Sequence, residues 1–268
     1  CDDNFIKIDA KRSFGQVSAK KLTELMFQNI KTKNISIGTI INSNHVGRIV
    51  EYSEFYTQGD IACLTFANGG GPGVCPFGSI ERKLGTNPIS LFLRVGNKKI
   101  SIDVASAAIA EGKLNIARIN QRKINKKLIL TKEGLDTDDP NDFYDGGAIQ
   151  TAGGSKGYAL AIIIELLAGI ITGNGSSAFK DHLDGNGFFQ LLFKPTIFSN
   201  SESIEFLIDQ LLSEIKYSKP IKNDEKVYFP GELEEINFQK NKEFIDIPEN
   251  NIISLNKLAN TLNIEVLK

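Results

Sequence analysis

Two hydrophobic periods alternate along the first quarter of the chain, and this alternation constrains the fold more than any other feature. Apolar residues recur at helical spacing over residues 16–31, and a short β-rich run follows over 35–41. A second helical pattern covers 48–58, and the apolar run 61–66 is typical of a buried strand. Because alternating helices and strands bury their apolar faces against one another, the sequence predicts an α/β layer structure.

The composition excludes several classes of protein. The 268 residues suffice for one large domain or two small ones, and 41% hydrophobic with 24% charged residues is a globular balance. A formal net charge of −1 supplies no field that would draw the chain to nucleic acid, and the basic run 122–127 indicates a solvated turn, with phosphate contact as the alternative. The most apolar stretch, 157–171, is shorter than the ~20 residues of a membrane span and contains Glu165, so it predicts a buried helix and no membrane partner.

The three cysteines, Cys1, Cys63 and Cys75, cannot form a closed disulfide framework. No Cys-x-x-Cys spacing occurs, so a reducing, cytoplasmic compartment is the simpler interpretation, and Cys63 is expected in the core. A chain that begins with Cys is either a fragment or a protein whose lipoprotein signal has been cleaved. We favour the fragment, because residues 2–4 are too short to tether the strand-like run that follows.

Histidine occurs twice, and one of the two follows the first β-rich run directly. The segment Asn42-Ser43-Asn44-His45-Val46-Gly47-Arg48 places His45 among small polar residues at a strand end. Histidine suits proton transfer near neutral pH, its polar neighbours can hydrogen-bond a ligand, and Gly47 lets a backbone approach closely. The alternative is a polar turn with a surface histidine. The other histidine, His182, lies in a polar loop and is expected on the surface.

Four further segments carry weaker signals. The glycine-rich loop 68–73 either cradles phosphate or is a flexible turn, and the segment 153–157 at a helix start is either an anion site or a capped turn. Asp103 ends a strand, where it can accept from a ribose, hold a catalytic cation or cap the following helix. The acidic turn 136–140 lacks the spacing of a calcium loop, so no metal site is predicted.

The remaining patterns predict regular elements on both sides of one irregular segment. Strands are expected over 89–95, 99–104 and 188–192, and helices over 107–118, 201–217 and 253–262. Residues 119–150 are predicted to be irregular.

The order of the short motifs is more specific than any one of them. They are Asn-Ser-Asn-His-x-Gly from Asn42, Leu84-Gly85-Thr86-Asn87-Pro88, Asp103-x-Ala105-Ser106, Glu111-Gly112-Lys113, Lys156-Gly157-Tyr158 and Phe229-Pro230-Gly231-Glu232. This series closely resembles the malate/L-lactate dehydrogenase family, which also includes sulfolactate, ureidoglycolate and cyclic imino acid enzymes. That family is distinct from the Rossmann-fold lactate and malate dehydrogenases, in agreement with the missing G-x-G-x-x-G fingerprint.

The resemblance implies an α/β, non-Rossmann fold with a mixed sheet flanked by helices. It implies an NAD(P)-binding core over 8–200 and a C-terminal helical segment over 201–268 that packs back on the core. The positions that contact the cofactor in the family correspond to Asn42, Ser43, Asn44, His45, Asp103, Val104, Ala105, Lys156, Gly157, Pro230 and Gly231. The positions that lie toward the substrate correspond to Glu111 and Gly112.

The implied activity is oxidation of a small 2-hydroxy acid, or reduction of its 2-oxo acid, by direct hydride transfer with NAD or NADP, NAD being preferred, in a homodimer. His45 is the available base, and Lys156 can meet cofactor phosphate. Arg48 can bind the substrate carboxylate, with a surface ion pair as the alternative. Reduction of a cyclic imino acid is the alternative inside the family. A catalytically silent nucleotide-binding protein is the alternative outside it.

The chain departs from the family pattern in three places. It lacks the N-terminal Ser-His-Gly motif and nearby Arg, which supply an acid/base candidate and a carboxylate ligand in the family. Val104 and Ala159 replace the commoner Met and Gly, and 119–135 lacks the usual Pro-x-Gly-Trp. We therefore expect a fragment in which proton exchange runs through His45 or through the missing upstream histidine.

Overall fold

The computed structural model describes residues 5–182, 185–222 and 225–267, which divide into two compact units, Cys1–Phe229 and Pro230–Lys268. The larger unit contains a six-stranded sheet with the strand order β1-β2-β9-β3-β4-β5. Its strands are β1 (Phe5–Asp9), β2 (Ile35–Ser43), β3 (Ile61–Gly69), β4 (Pro88–Val95), β5 (Lys98–Ala105) and β9 (Asn186–Phe193). β1 pairs parallel with β2, whereas the other neighbours are antiparallel. The mixed sheet confirms the predicted fold class.

One face of the sheet is covered by helix α1 (Gly15–Thr32), as the helical period predicted. Its buried side chains Leu22, Met26 and Ile30 pack into the main apolar cluster with residues of the central strands. A Cβ at Gly38 of β2 would lie 2.4 Å from the Met26 sulfur, so the helix approaches the strand closely because that position has no side chain.

The opposite face is covered by the apolar segment that the sequence predicted as a buried helix. It forms α5 (Ser155–Ile164) and continues as a π-helix over Glu165–Ile170. Ile164 and Ala168 pack on Phe66 of β3, so α1 and this helix enclose the sheet between them. No helix in the described residues combines the length and the hydrophobicity needed to cross a membrane.

Three segments differ from the sequence-based prediction. The helix predicted over 48–58 is only α2 (Glu51–Glu54), and the one predicted over 107–118 is α3 (Glu111–Ile119). The latter begins late because the backbone N–H of Ala108 donates to the Gln150 carbonyl, so this stretch extends the sheet edge instead. The segment 119–150, predicted as irregular, contains the second sheet β7-β6-β8 and a short helix. These elements are β6 (Ile129–Leu130), β7 (Asp136–Thr137), α4 (Asn141–Tyr144) and β8 (Ala148–Ile149).

The C-terminal helices belong to different units. Helix α6 (Ser201–Lys216) is part of the larger unit, where Asp209 forms a salt bridge of 2.6 Å with Lys98. The smaller unit contains α7 (Glu232–Asn241) and α8 (Glu249–Thr261). The sequence did not predict α7, whose residues are not buried and which therefore has no apolar face to detect.

Two of the three cysteines lie within the described residues. Cys63 and Cys75 are both buried and free, and burial raises the pKa of the Cys63 thiol to about 11. Cys63 is therefore a core residue, as predicted, and its thiol is in the unreactive protonated form. Cys1 lies outside the described residues.

Candidate active site

The His45 turn, residues 42–48, includes the last two residues of β2 and is fixed by the start of α1. The Asn44 backbone N–H donates to Ser13 O at 3.2 Å, and its side-chain amide donates to Arg12 O at 2.6 Å. A Cβ at Gly15 would lie 2.4 Å from His45 O, so the helix start packs directly on the turn. Asn42 has a φ of +55°, a left-handed conformation that asparagine tolerates and that turns the chain out of the strand.

The peptide groups that follow His45 are held on both sides. The Val46 N–H donates to Asn186 Oδ1 at 3.2 Å, and the Tyr52 hydroxyl donates to the Val46 carbonyl. Ser43 and Val46 are buried, whereas the side chains of Asn44 and His45 are exposed. The turn thus combines a fixed backbone with an accessible imidazole.

Arg48 and Asp103 both have protein partners next to this turn. Arg48 makes a bidentate contact with Glu54, with Nη1 2.9 Å from Oε2 and Nη2 3.3 Å from Oε1. Asp103 Oδ2 accepts the N–H of Val50 at 3.0 Å, at the start of α2. The prediction that Asp103 caps the following helix is wrong, because α3 begins after Ala110 without a side-chain cap.

The two carboxyl groups have opposite pKa shifts. Burial raises the pKa of Asp103, an effect that the N–H of Val50 and the charge of Arg48 only partly offset. Burial also opposes ionisation of Glu54, but the hydrogen bond and charge of Arg48 outweigh it and lower the pKa of Glu54. Ionised Glu54 is therefore the partner that holds Arg48.

The end of β5 lies between the segment that follows the His45 turn and the segment that precedes α5. Asp103 contacts the segment that follows the turn, and three residues later Ser106 O accepts the N–H of Ala152 at 2.8 Å. Ala152 precedes the glycine turn that opens α5, where Lys156 is exposed. The end of β5 is thus hydrogen-bonded to the residues just after the His45 turn and to those just before α5.

The predicted cofactor-contacting residues at the end of β5 and the start of α5 have different surroundings. Val104 is 49% exposed on the edge strand, and Ala105 packs against the second apolar cluster. Gly157 is buried, and a Cβ there would lie 2.1 Å from Ala152 O, so only glycine lets α5 begin against the preceding turn.

Two cavities lie beside these elements. A cavity of about 740 Å³ is bordered by Thr151, the turn Gly153–Gly154 and the loop 76–80, and its described lining includes none of the residues predicted to contact the cofactor. A second cavity of about 490 Å³ is bordered by Arg12, Asn42, Asn174, Gly175, Phe179, Lys180, Asp181 and His182. His182, predicted on the surface, is thus partly buried at the wall of a cavity.

The remaining predicted site residues lie elsewhere. Glu111 begins α3, where it accepts the Tyr144 hydroxyl at 3.1 Å, and the space around Gly112 is open. Pro230 and Gly231 belong to the smaller unit, where Gly231 has a φ of +93° and precedes α7. No cluster of three or more potential metal ligands occurs within the described part of the chain.

Sequence reasoning missed a buried polar cluster behind the turn, formed by Asn68, Asn87, Glu165 and Asn186. Glu165 accepts the side-chain amides of Asn68 and Asn87 at 3.1 and 2.9 Å. The available signal was the repeated pairing of a polar residue with glycine, as in Asn68-Gly69 and Asn186-Gly187, together with a lone Glu in the most apolar helix.

Comparison with known proteins gives the same family over nearly the whole chain. The family model described as malate/L-lactate dehydrogenase matches residues 2–256. The L-sulfolactate dehydrogenase of Methanocaldococcus jannaschii is 34% identical over 266 residues, covering 97% of this chain and 76% of that protein. Its structure aligns with a TM-score of 0.84, 33% identity and coverage of 99% of this chain and 78% of that chain.

A further relative and a further solved structure are also dehydrogenases of malate or sulfolactate. The malate/(S)-sulfolactate dehydrogenase of Methanothermus fervidus is 32% identical over 271 residues, with 98% of this chain and 78% of that protein covered. The structure of malate dehydrogenase from Pyrococcus horikoshii aligns with a TM-score of 0.84 and 27% identity, over 99% of this chain and 76% of that chain.

Proposed function

Because the chain belongs to the malate/L-lactate dehydrogenase family, we propose that it is an NAD(P)-dependent oxidoreductase that interconverts a small 2-hydroxy acid and its 2-oxo acid. The observation that carries the proposal is the pair of hydrogen bonds at the end of β5. The Asp103 bond to Val50, two residues after the His45 turn, and the Ser106 bond to Ala152, three residues before α5, support a shared site at the end of β5.

The residues present fit a dinucleotide. The cavity of about 740 Å³ opens beside the turn Gly153–Gly154, where both glycines have a φ of +66°. Backbone N–H groups at a helix start attract phosphate, and the exposed Lys156 adds a positive charge. By the family motif, Asn42, Ser43, Asn44 and His45 would line the nicotinamide, and Asp103, Val104 and Ala105 would contact the cofactor.

When bound, the nicotinamide supplies the hydride chemistry. In the oxidation direction His45 would take the proton of the substrate hydroxyl, and the bound nicotinamide would supply the hydride acceptor. In the reverse direction the protonated imidazole returns the proton to the carbonyl oxygen. Because both sides of the Val46 peptide group are held, the imidazole is carried on a backbone whose position is set before substrate binds.

Three residues are proposed to recognise the substrate. Glu111 and Gly112 are proposed on the substrate side from the family motif, and Arg48 as a carboxylate ligand. Since Arg48 already binds Glu54 at 2.9 Å, a substrate carboxylate would have to share or displace that partner. The relatives are sulfolactate and malate/sulfolactate dehydrogenases, which favours a small hydroxy acid as the substrate. We propose NAD as the preferred cofactor, a homodimer as the assembly and the cytoplasm as the compartment.

The first test is a titration of the chain with NADH and NADPH followed by cofactor fluorescence. The chain has no Trp, so background emission is low. Saturable binding of either cofactor is expected. Lys156→Ala should weaken binding by about tenfold or more, because a charged hydrogen bond contributes about 1.5–3 kcal/mol. Lys20→Ala, on the exposed surface of α1, is the matched control. Absence of binding in a folded sample would contradict the proposal.

The second test is reduction of the oxo acids that correspond to sulfolactate, malate and lactate, with the preferred cofactor. Turnover of one of them is the expected result. Turnover of a cyclic imino acid instead would select the alternative activity inside the family. Cofactor binding without turnover of any of these compounds would favour a nucleotide-binding protein without catalytic activity.

A further inference from the structure

The buried cluster of Asn68, Asn87, Glu165 and Asn186 is not used by the chemistry described above. Glu165 is 4% exposed and begins the π-helix, an irregularity that is common near functional sites. Among the described residues no Lys or Arg forms a salt bridge with it. A carboxyl group is costly to bury without hydrogen-bond partners. The partners of Glu165 are two asparagine side chains, and their arrangement calls for an explanation.

We propose that Glu165 is a positioning residue that sets the backbone of the His45 turn through the side chain and backbone carbonyl of Asn68 and the side chain of Asn186. Glu165 Oε2 accepts Asn68 Nδ2 at 3.1 Å, and Asn68 O accepts Asn186 Nδ2 at 2.9 Å. Asn186 Oδ1 then accepts the N–H of Val46 at 3.2 Å, directly after His45. This chain of hydrogen bonds therefore runs from the π-helix to the turn without an exposed member.

The backbone fixes the direction of every amide in this chain. Asn68 Nδ2 also donates to Gly175 O at 3.0 Å, while its Oδ1 accepts the N–H of Gly187 at 2.9 Å. Turning the amide over would set a carbonyl against a carbonyl and an N–H against an N–H. Asn68 must therefore donate toward Glu165.

Asn87 is fixed in the same way on the other carboxylate oxygen. Its Nδ2 donates to Glu165 Oε1 at 2.9 Å and to Ala161 O at 3.2 Å, and its Oδ1 accepts the N–H of Gly69 at 3.2 Å. Both oxygens of Glu165 are thus required as acceptors. A glutamine at position 165 offers one acceptor and one donor, so it can satisfy one asparagine and must oppose the other.

Four glycines provide the space that this cluster occupies. A Cβ at Gly69 would lie 1.6 Å from Asn186 Nδ2, and one at Gly85 would lie 2.9 Å from Asn87 Oδ1. A Cβ at Gly169 would lie 2.5 Å from Asn68 Nδ2, and one at Gly187 would lie 2.7 Å from Asn68 Oδ1. The glycine-rich loop 68–73 thus makes room for an asparagine side chain at its first glycine. The packing and the hydrogen bonds independently indicate a built network.

An effect of the network on catalysis depends on the proposed role of His45. Its hydrogen-bond link to the turn does not depend on that role. The test therefore measures amide hydrogen exchange at Val46 in Glu165→Gln and in Asn186→Ala. Both variants should raise the Val46 exchange rate by about tenfold or more, because its acceptor is misplaced or lost. The matched control is Gln190→Leu, which removes a separate buried network with Thr23 and Thr65 in the same sheet.

Three outcomes are informative. Faster exchange at Val46 in both variants, but not in Gln190→Leu at equal global stability, supports the proposal. Unchanged exchange in a folded Glu165→Gln overturns it. If Glu165→Gln does not fold, Asn68→Ala takes its place, because it removes the amide that donates to Glu165 while the Asn68 backbone carbonyl stays available to Asn186.

A kinetic arm separates positioning from general stability. With the oxo acid that the wild type reduces, Glu165→Gln should lower kcat by about tenfold or more while KM stays within about threefold. Gln190→Leu should change neither value beyond that range. Equal loss of kcat in both would overturn the catalytic part of the proposal. If the wild type binds neither cofactor while the exchange result holds, the proposed function fails and the network assignment stands.

Discussion

The Arg48 guanidinium donates two hydrogen bonds to the Glu54 carboxylate, with Nη1 2.9 Å from Oε2 and Nη2 3.3 Å from Oε1. The pair closes the loop between the His45 turn and α2, six residues apart in sequence. Its geometry is that of a bidentate carboxylate ligand, which is the role that the sequence suggested for Arg48, but the carboxylate here belongs to the protein.

Replacing Glu54 by glutamine should therefore destabilise the fold in a pH-dependent way. Arg48 lowers the pKa of Glu54, so the pair stabilises the fold above the unfolded-state pKa near 4.5 and this contribution disappears as the pH falls through the lowered value. We expect Glu54→Gln to lose about 0.5 kcal/mol near neutral pH and to approach the stability of the wild type at a pH below the lowered pKa. Urea unfolding at both pH values checks this, and a constant difference would contradict it.

Asp103→Asn should show the opposite dependence. Burial raises the pKa of Asp103 above 3.8, so ionisation weakens the fold as the pH rises through the raised value. Asparagine keeps an oxygen acceptor for the Val50 N–H without the charge. The variant should be at least as stable as the wild type near neutral pH, and any advantage should vanish in acid. A less stable variant at neutral pH would mean that the charge itself holds Arg48.

Replacement by alanine should destabilise the protein to different extents at two glycines of the loop 68–73, Gly69 and Gly73. At Gly69 the new Cβ would lie 1.6 Å from the Asn186 amide, whereas at Gly73 it would meet the Phe143 ring at an ordinary 3.7 Å. We expect Gly69→Ala to lose about 2 kcal/mol or more, as overpacked cores do, and Gly73→Ala to lose about 0.5 kcal/mol or less. Thermal unfolding of the pair provides the comparison. Similar losses of stability in the two variants would contradict the claim that Asn186 fills the space beside Gly69.

His45→Ala should lower the rate of hydride transfer by about 10²- to 10⁴-fold, the usual loss when acid/base assistance is removed. Cofactor fluorescence should show that binding survives, since the turn is held by Asn186, Tyr52 and the start of α1 rather than by the imidazole. His182→Ala is the matched control and should stay within about threefold of wild type. A His45→Ala rate within that same range would contradict the base assignment.

The strongly periodic elements were predictable because their signals are local. Helix α1, strands β2, β4, β5 and β9, and the apolar α5 segment all follow from side-chain periodicity and run length. The short α2, the two-residue strands of the second sheet and the solvent-exposed α7 were missed or misjudged. Their form depends on tertiary pairing, or they lack a buried face that would leave a pattern.

The sequence by itself determined the mixed α/β class, the family and the His45 turn, because motif order and hydrophobic period are properties of neighbouring residues. Only the tertiary structure decided which partners the polar side chains have. Asp103 meets Val50 across 53 residues, Asn68 meets Glu165 across 97, and Asn186 meets Val46 across 140. A buried polar group must find its hydrogen-bond partner wherever the fold brings one, and no local pattern specifies which distant residue that is.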